Sequence, residues 1–338
     1  MADNLPEGLK PYPNISPKAY EHPADRAATA ALKAVPMLDS IVRKLIEWRY
    51  EKALRQFYMS NSVRVGEHQL PDLYANAQGV YRILDMPQSY DVYVTDAIGP
   101  NAIAAGSQNS IIIFGTPLLE RLGAGEQRSV LAHEAAHILS DHMVYRTALD
   151  IILRAGGGLP FPIGIPVAAV RAVLLEWYRA AELSCDRAEA LVVRDPRIVC
   201  STLMVLAGGM HADKFDLDAF LAQARDYEDW DDPGDRVRRF FYEIGATHPN
   251  AVRRVSEVMK WVQSGEYDRI VRGEYIKRGE EPPVSEEASR AMDFYAERFR
   301  TLFKDIGDNV TKLGNQVGGV AEQVADWIRS RSGGNSED

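Results

Sequence analysis

The sequence predicts a mainly α domain with a small β-sheet, an α+β arrangement. Two observations carry this. Apolar residues recur at three- and four-residue steps through most of the 338-residue chain, which places them on one face of successive helices. Strand-like runs are few and confined to residues 90–114. There is no internal repeat. The length suits one large domain or two ordinary ones, and a hydrophobic share of 46% supports a core.

Residues 1–26 are rich in Pro and polar residues and read as an extended N-terminal arm. From Ala27 to about Asn61 the pattern is helical, with Leu38, Ile41, Leu45 and Trp48 on one face. A second helix covers Pro71 to Leu84, with Leu73, Ala77, Val80, Tyr81 and Leu84 inward. Tyr90 to Thr95 alternates and is β-branched or aromatic, as strands are. Ile103–Ala105 and Ser110–Phe114 flank Gly106-Ser107-Gln108-Asn109, which reads as a hairpin turn. Thr116 caps the next helix, with Pro117 at its first position. Helix resumes from Glu126 to about Asp150, from Val167 to about Val193, and over Ser201–Met210 and Leu217–Ala224. Asp226–Asp235 is an acidic loop or linker.

The longest uncharged stretch, Ala155 to Val170, is shorter than the roughly 20 residues a membrane-spanning helix needs. It also carries Pro160, Pro162 and Pro166 with four glycines, so it reads as a loop. The domain division is therefore an arm over 1–26, a main domain over 27–285 and an amphipathic helical tail over 286–338. In the tail, an apolar stripe from Met292 to Trp327 sits opposite a face mixing Lys304 and Lys312 with Asp305 and Asp308. Such a stripe suits packing on the protein, a homo-oligomer, or peripheral membrane contact.

A formal charge of −9 argues against a general nucleic-acid binder, which needs a basic stripe to neutralise phosphates. Cys185 and Cys200 are too few for a disulfide framework and have no zinc-site spacing. They read as reduced thiols of a cytosolic protein. Met1 to Pro6 lacks a signal-peptide profile. A cytoplasmic location is expected, with peripheral membrane attachment as the alternative.

Leu131-Ala132-His133-Glu134-Ala135-Ala136-His137 contains the H-E-x-x-H pattern. On a helix, residues four apart share a face, so His133 and His137 can hold one zinc ion per chain. Glu134 lies beside the metal, placed to act as general base. Two incidental histidines on an exposed helix are the alternative. A catalytic zinc needs a third protein ligand. His142 follows His137 by five residues, which turns it off the metal-facing stripe of a continuous helix. The longer H-E-x-x-H-x-x-G-x-x-H pattern fails, with Met143 at its last position. Downstream, Glu182 and Asp186 stand four apart. That spacing lets Glu182 ligate while Asp186 accepts a hydrogen bond from a ligand histidine. Solvated helix carboxylates would show the same spacing.

Four blocks in order resemble the M48 family of zinc metallopeptidases, which includes HtpX-type and CAAX-prenyl proteases. They are Asn101-Ala102-Ile103-Ala104 with its following strand, the His133–His142 helix, the Glu182–Asp186 helix, and Thr247-His248-Pro249-Asn250 with Arg253 and Arg254. The resemblance implies a gluzincin-type peptidase domain and Glu182 as third ligand. It also implies that His248 and Arg254 lie near the scissile carbonyl, where a donor would steady an oxyanion. The other reading of His248 is local: Thr247 or His248 caps a helix that Pro249 begins. Strand Ser110–Phe114 matches the family's sheet edge, so Ile111, Ile112 and Ile113, with Ala104, are expected to pair with an extended peptide or protein substrate. Plain core is the alternative for that run.

Integral-membrane relatives carry hydrophobic spans around this core. Here the interval Ile138 to Ala181 is broken by Pro and Gly, so the resemblance extends to the catalytic core and not to those spans. The reading is a zinc-dependent endopeptidase. Its competitor is a non-catalytic, zinc-stabilised scaffold or chaperone-like binder, against which the intact Glu134 argues.

Overall fold

The computed structural model describes residues 9–33, 51–106, 109–155, 167–229 and 250–282. Within them the fold is mostly helical with one small sheet, as the periodicities predict. After a short 3-10 turn at Pro17–Ala19 come α1 (Pro23–Lys33), α2 (Glu51–Asn61), β1 (Val63–Arg64) and α3 (Pro71–Ile83). Then follow β2 (Asp91–Thr95), β3 (Ala102–Ala105), β4 (Ile111–Gly115) and the single turn α4 (Thr116–Leu119). The rest is helical: α5 (Ala124–Leu139), α6 (His142–Ala155), α7 (Val167–Val193), α8 (Pro196–Gly208), α9 (Leu217–Asp229), α10 (Ala251–Gln263) and α11 (Glu266–Val271).

The four strands lie in the order β1-β2-β4-β3. β2 runs parallel to β4, while β1 and β3 are antiparallel to their neighbours. The predicted hairpin is β3–β4, with Ile103 opposite Ile113 and Ala104 opposite Ile112. β4 is paired on both sides and wholly buried. A Cβ added at Gly115, which ends β4, would meet the Gly99 carbonyl at 1.9 Å, so only glycine fits that approach.

α5 and α7 form the centre of the molecule. Ser129 to His137 are all buried, and Ala132, Ala135 and Ala136 keep that surface thin enough for α7 to approach. Along α7, Ala180, Ala181, Cys185, Ala188 and Ala190 meet it with side chains as small.

Three expectations change. The helix drawn from Glu126 to Asp150 is two helices, because Asp141 adopts a left-handed conformation (φ 56°) and turns the chain between Leu139 and His142. Asp is one of the residues that tolerates this region. The helix expected from Ser201 begins at Pro196, where the Asp195 side chain accepts from Arg197 N at 2.9 Å, a signal in the Asp-Pro pair itself. The described part of the arm is docked rather than free, and it includes the 3-10 turn and the first turn of α1. Tyr12, Ile15 and Tyr20 are buried, and Tyr12 N donates to the Ile83 carbonyl and its hydroxyl to that of Leu191. Large apolar side chains gain about 1.5–3 kcal/mol on burial, which favours docking over a free arm. The expected helical residues 38–48, the loop 156–166, residues 230–249 and the tail 286–338 lie outside the described residues. No helix among the described residues is long and apolar enough to cross a membrane.

Candidate metal centre

α5 presents His133 and His137 to α7, which presents Glu182. Nε2 of His133 and Nε2 of His137 are 3.2 Å apart. Glu182 Oε2 stands 3.4 Å from the first and Oε1 3.2 Å from the second. Ligands held at about 2.0–2.2 Å around a tetrahedral zinc stand about 3.3–3.6 Å from one another. The three donors therefore fit one face of such a tetrahedron without rearrangement. Two other trios also bring ligand atoms within 4.8 Å of one another: His133, His137 and Cys185, and His133, Asp186 and Glu189. They fit less well. Burial, and then the neighbouring carboxylates, push the Cys185 thiol well above its ordinary value, which disfavours a thiolate. Asp186 is committed to Arg254.

The far side of the His133 ring meets carboxylates. Nδ1 is 2.6 Å from Glu189 Oε1 and 3.4 Å from Asp186 Oδ1. Glu189 also accepts from Ser129 Oγ at 2.6 Å. Asp186 forms a two-pronged pair with Arg254, through Nε at 2.9 Å and through Nη2, and Nη1 of the same guanidinium lies 3.4 Å from Glu182. Burial would lower the His133 imidazole, but Glu182, Asp186 and Glu189 outweigh it and hold the ring well above its usual range. Burial pushes the Glu189 carboxyl up to about 7, and the 2.6 Å approach of His133 Nδ1 to Glu189 Oε1 calls for a hydrogen between them. Burial would likewise raise Asp186, and Arg254 overrides it and holds that carboxyl below its ordinary value.

The far side of the His137 ring meets another imidazole. His137 Nδ1 and His142 Nδ1 are 3.1 Å apart, and His142 Nε2 is 3.1 Å from Asp25 Oδ2 on α1. Burial carries the His137 imidazole down to about 3 against the pull of Glu182. His142 would be lowered by burial too, but the Asp25 carboxylate more than offsets this. The left-handed break at Asp141 is what returns His142 to the ring it follows by five residues. The off-stripe position predicted for a continuous helix does not apply.

Glu134 is buried beside the donors, and its Oε2 accepts from Ala104 N at 2.5 Å. That main-chain group points away from β4, because in an antiparallel ladder alternate residues face outward. β3 is thus the edge strand next to the metal-facing helix, and the expectation for β4 is corrected. Ile111, Ile112 and Ile113 have their main chains engaged by β2 and β3, and their side chains are core. Of the four residues named for substrate pairing, only Ala104 lies at the edge. A cleft of about 280 Å³ opens over the site, with Ala102, Leu118, Val130 and Leu206 among its apolar walls and His133, Glu134, Glu182 and Arg254 at its floor.

The structure brings His133, Glu134, His137, Glu182, Asp186 and Arg254 together. Arg254, expected near the scissile carbonyl, lines the cleft with its guanidinium held by Asp186 and 3.4 Å from Glu182. His248 lies outside the described residues. The helix after it starts at Ala251, and its cap is Asn250, whose side chain accepts from Arg253 N at 2.8 Å. Sequence reasoning missed Glu189, His142 and Asp25. Glu189 had a signal, since Glu182, Asp186 and Glu189 step by four and three on one face of α7.

Two helix-borne histidines and a carboxylate with donor atoms 3.2 to 3.4 Å apart, and a second carboxylate beside them, can hold a metal ion. Similarity to known proteins makes the chain a metallopeptidase. The family model described as Peptidase family M48 matches residues 68–262. Two relatives agree. The plastoglobule-localized metallopeptidase 48, chloroplastic, of Arabidopsis thaliana is 34% identical over 258 residues, which cover 75% of this chain and 75% of that protein. Protease HtpX homolog 2 of Methanosarcina mazei is 25% identical over 241 residues, covering 59% of this chain and 75% of that protein. The chain belongs to peptidase family M48. No solved structure matches it significantly.

Proposed function

We propose that the chain is a zinc-dependent endopeptidase in which His133, His137 and Glu182 hold the metal and Glu134 is the general base. The observation that carries this is the mutual spacing of the three donors, 3.2 to 3.4 Å. The chemistry supplied by a bound zinc is polarisation of the peptide carbonyl and a lowered water pKa. Glu134 takes the proton of the attacking water and returns it to the leaving amine. The Ala104 N–H orients Glu134, and the outward main chain of β3 pairs with an extended substrate, which gives binding with modest sequence preference. Asp186 and Glu189 position His133, and Arg254 braces these carboxylates. On the resemblance alone, His248 is the donor to the oxyanion.

Metal analysis and a peptide-library cleavage assay test the reading. Wild type is expected to carry one zinc per chain, and Glu134→Gln to keep zinc and fold while losing about 10²–10⁴-fold in hydrolysis or more. Cleavage by that variant within a few-fold of wild type would sink the mechanism. Full zinc retention by Glu182→Ala would remove Glu182 from the ligand set. As to location, one relative is named plastoglobule-localized, which favours attachment to a subcellular particle, through the tail, over a freely cytoplasmic protein. Co-sedimentation of the whole chain with lipid vesicles, lost on removing residues 286–338, is the outcome expected of that attachment.

A further inference from the structure

We infer that Asp25 and His142 are positioning residues that fix the tautomer of His137, with the N-terminal segment thereby completing the metal site. This rests on the reading of His137 as a ligand. The argument is one of donors and acceptors. Asp25 is fully buried and its carboxylate only accepts. Ser184 Oγ donates to Oδ2 at 2.6 Å and Thr29 Oγ1 to Oδ1 at 3.2 Å. Trp177 Nε1 in turn donates to Thr29 Oγ1 at 2.8 Å, so the hydroxyl proton is free to serve Asp25. Facing Oδ2, Nε2 of His142 must carry a proton.

If His137 holds the metal through Nε2, that ring's hydrogen sits on Nδ1, 3.1 Å from His142 Nδ1. His142 Nδ1 must then accept it while the His142 hydrogen stays on Nε2 toward Asp25. The other group beside His142 Nδ1 is the Cys185 thiol at 3.8 Å, a weaker and longer contact than His137 Nδ1 at 3.1 Å. A proton on Nδ1 leaves the lone pair of His137 on Nε2, the atom that faces His133 Nε2 and Glu182. The direction set at Asp25 thus passes through two rings and ends as a metal-ready nitrogen. The reverse arrangement, with His142 donating to His137, would place the proton on His137 Nε2 and block it. His142 also packs edge-on to Trp177, with ring centroids 5.6 Å apart.

Four substitutions in the full chain separate this from mere packing, read by zinc affinity in chelator competition. His142→Phe keeps the ring shape and removes both nitrogens. It is expected to weaken zinc binding about 10–100-fold, the usual loss when a partner behind a ligand is removed. His142→Gln offers an acceptor and a donor and is expected to recover most of that loss. Asp25→Leu should mimic the first variant and Asp25→Asn the second, since only the latter keeps an acceptor. ¹⁵N NMR of the metal-free wild type should show the His137 proton on Nδ1. Equal losses in His142→Phe and His142→Gln, or a proton on His137 Nε2, would overturn the relay while leaving the ligand set intact. Wild type that takes up no zinc would overturn both readings together.

Discussion

His133 and His137 stand one turn apart on the same helix, yet the two regions behind them are built from opposite materials. Behind His133 is an ionic net drawn from α7 and α10: Asp186, Glu189 and Arg254, with Ser129 from α5 itself. Behind His137 is a relay of one imidazole and one carboxylate that ends on α1. The first region uses charge, and charge out of water must be balanced at once. The second spreads one charge behind a neutral ring. On the proposed ligand set, two ligands of one ion are held by different physics, and damage to one side need not resemble damage to the other.

The sharpest way to break that contrast is Arg254→Leu. Removing the cation leaves buried carboxylates uncompensated, and breaking such a net typically destabilises by about 3–5 kcal/mol. Thermal melting of the metal-free protein should show that loss, whereas His142→Gln should melt within a few degrees of wild type. Equal melting shifts would mean that the two sides share one mode of support.

Next in size is Glu189→Gln. The amide keeps its shape and can still accept from His133 Nδ1, but it cannot share a proton as a carboxyl pushed up to about 7 does. Zinc affinity is expected to fall about tenfold, at the low end for such partners. An unchanged affinity would assign the orienting role to Asp186 instead.

A third test uses acid. Arg254 holds the Asp186 carboxyl below its usual value. A depressed folded-state value means that the pair contributes its full stability above the unfolded carboxylate pKa of about 3.9. That contribution is lost as pH falls through the lower folded value. The melting temperature of wild type should exceed that of Asp186→Asn most at neutral pH, and the gap should narrow below about pH 4. A gap that widens in acid would contradict the assignment.

The smallest expected effect lies at the joint between α5 and α6. Asp141→Gly should be tolerated because its φ of 56° suits glycine, while Asp141→Val should cost about 1–2 kcal/mol. If Asp141→Val also weakens zinc binding, the joint positions His142 as well as ending a helix.

Much of this was legible in the sequence because it is periodic or local. The helices α3 and α7 and the β3–β4 hairpin follow from apolar spacing and turn chemistry. The pair of histidines follows from four-residue spacing. What escaped has a physical reason in each case. One left-handed residue, Asp141, broke a pattern whose periodicity alone looked continuous, and with it went the position of His142. β4 looked like a substrate edge because an Ile-Ile-Ile-Phe run is equally a core strand, and only the strand order decides. Arg254 is marked by the resemblance alone, and its engagement with Asp186 depends on how α10 crosses α7. Asp25 has no local signal for this role, since His142 and Ser184 come from other helices.

The Asp25 contacts also bear on the order in which the molecule can be assembled. Its bonds to His142 and Ser184 span 117 and 159 residues of chain. α1 is synthesised before α6 and α7, so these two contacts of Asp25 can close only after those helices have followed. Contacts at that separation close late, because a long loop must be ordered first. The His133–His137 pair exists as soon as α5 winds, but its setting is finished only when both the first segment and the distant α10 have docked. On the proposed ligand set, the setting of the metal site is completed only when segments far apart in the chain have met.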